Sequence, residues 1–326
     1  MADTTKKQRI FMTGASGYVG SVITEFAVAQ GYEVYGLARS DASADKIKKL
    51  GGVPVRGDLT SLDVLRRESA AADIVMHLAD PFNFDLSQGY DHVIEAQKAI
   101  ADAFADSLQG TNKPLVTTSG TLMAEADPNG GEVDETAPYA KQSLVPRHVV
   151  EQYDLSLAKK GIKVSSIRLA PWVYGRGGSG IKLFMGLSAQ RGEVLCVDEG
   201  KNRVATVHVD DAARLYLLAA QKAPAGSIYN ATDRTDVVFR EIADAMAESL
   251  HIPVKSLTLD DAIAQLGPFF GRFLAADHRA SSAKAKRELG WEIRETRGVV
   301  EEIRSGSYVA VAKEILSNPG SAGPAH

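Results

Sequence analysis

Three glycines at every third position, Gly14, Gly17 and Gly20, follow directly on the apolar run Arg9-Ile10-Phe11-Met12-Thr13. That spacing serves the binding of a dinucleotide pyrophosphate. Gly14 permits a sharp turn, Gly17 lets the backbone approach a phosphate, and Gly20 lets the ensuing helix pack closely on the strand. Free backbone N–H groups at the helix start then meet the anion. Thr13, Gly14, Ser16, Gly17, Tyr18, Val19 and Gly20 are therefore candidate cofactor contacts. A glycine run alone also fits a plain tight turn; the strand-turn-helix-strand context is what favours a nucleotide.

A second group that could read a cofactor is Arg39-Ser40, at the end of the next apolar strand. An acidic residue there accepts from a ribose 2′-hydroxyl, whereas Arg pairs with a 2′-phosphate. The paired guanidinium donors and the Ser hydroxyl favour NADP(H). Asp41 and Asp45 just beyond keep NAD(H) as the alternative, and a solvated Arg39 is the plain reading. His208 with Asp210-Asp211 has metal-ligand chemistry but stands at a helix start, where capping explains it better. The other histidines show no metal spacing, so no metal site is expected. Gly177-Gly178-Ser179-Gly180 lacks the context of a nucleophile elbow and reads as a flexible loop. Phe269-Phe270-Gly271-Arg272-Phe273 either lines an apolar substrate pocket or packs a second lobe.

These groups need a scaffold, and the chain of 326 residues, 44% hydrophobic, can build one. Lys and Arg total 37 against 41 Asp and Glu, which gives no electrostatic footprint for nucleic acid or an anionic membrane. The single Cys196 excludes an internal disulfide framework and fits a reducing compartment. No apolar run approaches a membrane span, and the polar start resembles no secretory signal, so a cytoplasmic location is expected.

Apolar strands alternate with helical patterns as a parallel sheet with crossover helices requires. Strands are expected at 33–38, 53–58, 73–79, 115–119 and 164–169, which with the first make six. Val93, Gln97, Ile100, Phe104 and Leu108 mark a helix, and Val149, Tyr153 and Leu157 another. The fold class is α/β, a Rossmann-type doubly wound parallel sheet with helices on both faces and a smaller C-terminal substrate lobe. Residues 1–170 and about 204–230 are assigned to the dinucleotide-binding core, about 171–203 and 231–317 to the substrate lobe, and 318–326 to a flexible tail.

Several motifs at their distances give a resemblance to the extended and atypical short-chain dehydrogenase/reductases, the epimerase/dehydratase-like superfamily. They are Thr13-Gly14-Ala15-Ser16-Gly17-Tyr18-Val19-Gly20, Gly57-Asp58-Leu59, His77-Leu78-Ala79, Thr118-Ser119-Gly120, Arg168-Leu169-Ala170-Pro171, Val173-Tyr174-Gly175 and Val207-His208-Val209-Asp210-Asp211-Ala212. The resemblance covers nearly the whole chain. It implies that Asp58 and Leu59 border the adenine, Leu78 and Ala79 the ribose and pyrophosphate, and Pro171 to Val173 the nicotinamide; Asp80 and Thr118 are further candidate cofactor contacts. It also allows a homodimer through helices carrying residues 90–108 and 145–160.

Members that move hydride use a Tyr and a Lys four residues later on one helix face, with a Ser or Thr ending the fifth strand. Ser119 matches the last. Aligning Glu151 with the family's acidic residue places Ser143 at the Tyr position and Arg147 at the Lys position, so this chain resembles an atypical subgroup without the pair. Arg147 keeps a positive charge that can hold a cofactor ribose, but it relays protons poorly. Ser143 cannot replace a phenol, and losing a positioned acid forfeits a factor of about 10²–10⁴ in rate. Tyr139 and Tyr174 are the leading substitutes, before Lys141 and Asp80, although each Tyr also fits a packing role.

The expected activity is an NADP(H)-dependent oxidation or reduction of a small, moderately apolar carbonyl or alcohol, with Ser119, Arg147, Tyr174 and Tyr139 as candidate catalytic residues. The alternatives are a non-redox isomerase, dehydratase or cyclase on the same scaffold, and a catalytically silent nucleotide-binding regulator. Arg203 lies where relatives acting on nucleotide-sugars carry a phosphate-binding arginine, with no second basic group evident beside it.

Overall fold

The computed structural model describes residues 7–82, 84, 86, 87 and 89–318. The expected flexible tail beyond Asn318 lies outside the described residues. The first half runs β1 (Arg9–Thr13), α1 (Tyr18–Ala29), β2 (Glu33–Ala38), α2 (Asp41–Lys49), β3 (Val53–Arg56), α3 (Leu62–Ala71), β4 (Ile74–His77), α4 (Asp91–Leu108), β5 (Pro114–Gly120), α5 (Arg147–Ser156) and β6 (Lys163–Leu169). The second runs β7 (Trp172–Tyr174), α6 (Ser179–Arg191), β8 (Val194–Val197), β9 (Arg203–His208), α7 (Val209–Lys222), β10 (Ser227–Ala231), β11 (Arg234–Val238), α8 (Phe239–Leu250), β12 (Val254–Leu257), α9 (Leu259–Ala275), α10 (Ala283–Leu289), α11 (Val299–Ser305) and α12 (Tyr308–Ser317).

One sheet of seven strands has the order β10-β6-β5-β4-β1-β2-β3, parallel throughout. The strand order reverses between β1 and β4, which opens the crevice where such sheets bind ligands. The fold is the doubly wound Rossmann type. Six strands were legible as apolar runs; the seventh, β10, is the short edge sequence Ser227-Ile228-Tyr229-Asn230-Ala231, whose polar residues hide its period.

Strand alternation divides the core. Ile10 and Met12 face α1 and α7 with Ile23 and Tyr216, while Phe11 faces the other side with Val75, Ile100, Phe104 and Leu115. A third cluster joins Trp172, Tyr174 and Met185 to Phe239, Ile242 and Tyr308.

Two local differences from the sequence reading bear on the site. Pro146 precedes the first residue of α5, so the helix starts at Arg147 and Ser143 lies outside it. A proline holds the preceding residue out of helical conformation, which explains that boundary. The segment around Gly177, read as a flexible loop, is pinned instead. Gly175 N–H donates to the Tyr308 hydroxyl at 2.9 Å, Gly177 N–H to Ser307 Oγ at 2.7 Å, and the Tyr18 hydroxyl to the Gly175 carbonyl at 2.7 Å. Ser179 and Gly180 already belong to α6.

Candidate functional site at the carboxyl edge of the sheet

The glycine turn makes a cradle that side chains would fill. Gly14 has φ 76°, and a Cβ there would stand 3.0 Å from the Ala79 nitrogen. A Cβ on Gly20 would stand 2.1 Å from the Gly14 carbonyl oxygen, so β1 and α1 approach this closely only with glycine. Helix α1 has no side-chain cap and no acidic residue in its first turn. Its leading N–H groups thus point into the crevice without an internal anion, and the cradle fits a pyrophosphate.

A buried chain of hydrogen bonds fixes the floor of this turn. Thr13 Oγ1 accepts from the N–H groups of Leu78 and Ala79 at 3.2 and 3.3 Å and contacts His77 Nδ1 at 2.7 Å. His77 Nε2 lies 2.8 Å from Gln97 Oε1. Burial pushes the His77 pKa down, favouring a neutral ring that donates from Nε2 to Gln97 and accepts at Nδ1 from Thr13.

Arg147 occupies the centre of the edge. Its side chain is 16% exposed, its Nη1 is paired with Asp80, and its Nη2 donates to the Thr118 carbonyl at 2.8 Å. Burial opposes the charge, but Asp80 and the Tyr90 phenol outweigh it and raise the Arg147 pKa. Tyr90 was not singled out in the sequence. Its hydroxyl is buried without a well-formed hydrogen bond, facing Arg147 and Asp80, and burial first, then Asp80, raises its pKa. The Thr118 hydroxyl lies 2.8 Å from that of Tyr216 and donates to the His77 carbonyl at 3.0 Å. Ser119 is 6% exposed and, among the described residues, donates to Met123 Sδ at 3.3 Å. Beneath them is Asp154, which burial lifts to about 7 while Arg147 and Thr117 act to lower it.

The two candidate phenols are held elsewhere. Tyr139 donates to Glu151 Oε2 at 3.1 Å and lies under the Arg168 guanidinium, whose carbon stands 5.4 Å from the ring centroid; burial and Glu151 push the Tyr139 pKa up to about 12. Glu151 also accepts from Arg168 Nη2 at 2.6 Å and Ser166 Oγ at 2.8 Å. Tyr174 is 1% exposed, its hydroxyl 2.7 Å from Asp233 Oδ2 and 2.9 Å from the Arg297 carbonyl. Burial and Asp233 raise its pKa, so it holds its proton as a wall of the second cluster.

At the adenine end, Ser40 caps α2 by accepting from Ser43 N–H at 3.2 Å, and Asp41 pairs with Arg56 at 3.0 Å. The Asp58 carboxylate accepts from Thr60 and Ser61, which lowers its pKa. Pro171 and Val173 flank the buried Trp172. His208 Nδ1 accepts from Asp210 N–H at 3.2 Å and so caps α7. His208, Asp210 and Glu295 offer ligand atoms within 4.8 Å of one another, but Asp210 is paired with Arg176 at 2.6 Å and Glu295 with Arg214 at 3.3 Å. Arg203 does have a basic neighbour: it and Arg279 both donate to the Gly130 carbonyl, at 3.0 and 3.2 Å.

Residues 10–232 match the NAD dependent epimerase/dehydratase family. The chain belongs to that family. A Schizosaccharomyces pombe protein described as uncharacterized is 34% identical over 286 residues, 87% of this chain and 94% of its own length. A Stigmatella aurantiaca protein named 4-hydroxy-2-methyl-3-oxo-4-farnesyl-3,4-dihydroquinoline-1-oxide ketoreductase is 27% identical, covering 88% of this chain and 93% of its own. Among solved structures, the Thermus thermophilus UDP-glucose 4-epimerase in complex with NAD superposes with TM-score 0.73 at 21% identity, over 94% of this chain and 99% of that one. The family uses a nicotinamide dinucleotide, and the glycine cradle fits one.

Of the two residues aligned in sequence with the family's Tyr and Lys, Ser143 lies before α5, outside any helix or strand, and Arg147 is the first residue of α5. Tyr90 and Asp154 escaped the sequence reading because their burial beside Arg147 comes from packing of α4 and α5. Only the placement of Tyr90 immediately before α4, at the cofactor edge, hinted at it.

Proposed function

We propose that the protein is an NADP(H)-dependent oxidoreductase that reduces, or reversibly oxidises, a small, moderately apolar carbonyl or alcohol at the carboxyl edge of the sheet. The observation that carries this reading is Arg147: a charged guanidinium held between Asp80 and the end of β5, one residue from Ser119. Such a fixed cation costs no reorganisation when negative charge develops on a substrate oxygen.

In this reading Thr13 to Gly20, Leu78 and Ala79 hold the pyrophosphate, Asp58 and Leu59 border the adenine, and Pro171 and Val173 border the nicotinamide. Arg39 supports the phosphorylated coenzyme. It is exposed and, among the described residues, has neither hydrogen bond nor ion pair, whereas the nearby Asp41 is engaged by Arg56. When bound, the nicotinamide supplies or accepts hydride. Ser119 exchanges its weak bond to Met123 sulfur for the reacting oxygen. Arg147 orients the ribose and stabilises charge on that oxygen. Because Tyr139 and Tyr174 are committed to carboxylates, water admitted to the cleft delivers the proton.

The ketoreductase relative supports the reaction class. The test is oxidation of NADPH or NADH by purified protein with a panel of aldehydes and ketones, read as loss of reduced-nicotinamide absorbance. Substrate-dependent consumption of NADPH is expected. Tight NADPH binding with no consumption across the panel would sink the proposal and favour non-redox chemistry.

A further inference from the structure

We infer that the second lobe carries a subsite for an aliphatic chain attached to the reacting carbonyl, which would make the substrate a ketone with an extended apolar tail. The inference rests on the oxidoreductase reading for its reaction and on separate geometry for its site. Between α6, β8, α8 and α9 lies a cavity of about 240 Å³, walled mainly by apolar side chains, among them Phe184, Leu187, Leu266 and Phe270, with Ser188, Arg191 and Gln265 also lining it. A water needs two to four polar partners, and this wall offers few; the volume holds about eight water-sized groups, a chain of similar carbon count.

A string of rings in contact runs from the cavity wall toward the reaction edge and gives an apolar surface along which a chain could lie. Tyr90, which faces Arg147, lies 5.2 Å from Phe82; Phe82 lies 5.6 Å from Phe269, Phe269 5.3 Å from Phe270, and Phe270 5.8 Å from Phe184 in the cavity wall. The kink in α9 sets two of these rings. Gly267, at φ 81°, and Pro268 break the helix just before Phe269 and Phe270. Those two rings are only half-buried, and Phe84 beside them is 53% exposed, unlike the buried ring of Trp172. Of the two readings of Phe269 to Phe273, the pocket wall suits Phe270, while Phe273 packs on Trp172 at 5.3 Å.

The experiment titrates coenzyme-free protein with straight-chain methyl ketones of increasing length, following tryptophan emission. Trp172 stands 5.3 Å from Phe184 and reports on that wall; Trp291, the other tryptophan, is buried in the sheet core. Each added methylene should tighten binding about four-fold until the cavity is full, and kcat/KM with NADPH should climb in parallel. Leu266→Trp fills the cavity and should flatten the dependence to less than about two-fold per methylene; Leu187→Phe serves if the first variant does not fold. Binding independent of chain length, or an unchanged slope in a folded filling variant, overturns the subsite. Length-dependent binding without NADPH consumption would keep the subsite and refute the oxidoreductase reading, and turnover without length dependence would do the reverse.

Discussion

Replacing Asp154 with Asn should change how stability depends on pH. Asp154 is 5% exposed, and burial, opposed by Arg147 and Thr117, lifts it to about 7. An unfolded carboxyl titrates near 3.9, so the shift is about three units, or about 4 kcal/mol at 1.36 kcal/mol per unit. The folded state keeps the proton longer. Stability from this group is therefore full below about pH 4, falls as pH rises, and levels off above about pH 7. With an unfolding entropy of about 2.1 cal/mol/K per residue, 4 kcal/mol corresponds to about 6 °C in Tm. His77 and His278, both pushed down by burial, give an opposite slope below about pH 6.5, so the wild-type curve mixes the two. Subtracting the curves isolates Asp154, because both proteins share the histidines. Thermal unfolding of wild type and Asp154→Asn between pH 4.5 and 8 should show the variant gaining several degrees on wild type as pH rises. A difference that stays flat within about 1 °C would refute a neutral buried Asp154.

Arg147→Met should lower kcat/KM by about 10²–10³, the loss typical of one charge-stabilising donor, while Arg147→Lys recovers part of it; steady-state kinetics on the three proteins checks this. Gly20→Ala forces a methyl onto the Gly14 carbonyl and should cost about 1–3 kcal/mol of stability together with coenzyme affinity, measured by denaturation and calorimetry. Arg39→Ala should weaken NADPH binding by about 1.5–3 kcal/mol, the range for a charge-assisted hydrogen bond, and leave NADH unchanged, as isothermal titration would show.

The glycine spacing, the strand periods and the Arg39-Ser40 strand end are local signals, and they were legible because turn geometry and side-chain alternation are written within a few residues. The edge strand β10 was missed because two of its five residues are polar. The capping role of His208 could be read because it too is local. In sequence both Tyr139 and Tyr174 were open to a donor role, Tyr174 as a wall of the site first and a proton donor second. Both are held instead by carboxylates 12 and 59 residues away, Glu151 and Asp233.

Sequence alone thus determined a Rossmann-type sheet that opens on a glycine turn between β1 and α1. Tertiary structure decided which charges meet. Pro146 delays α5 until Arg147, and the packing of α4 and α5 then sets Tyr90, Asp80 and Asp154 around that guanidinium. Burial and pairing are properties of neighbours brought together by folding, so no local residue pattern encodes a lifted carboxyl or a committed phenol.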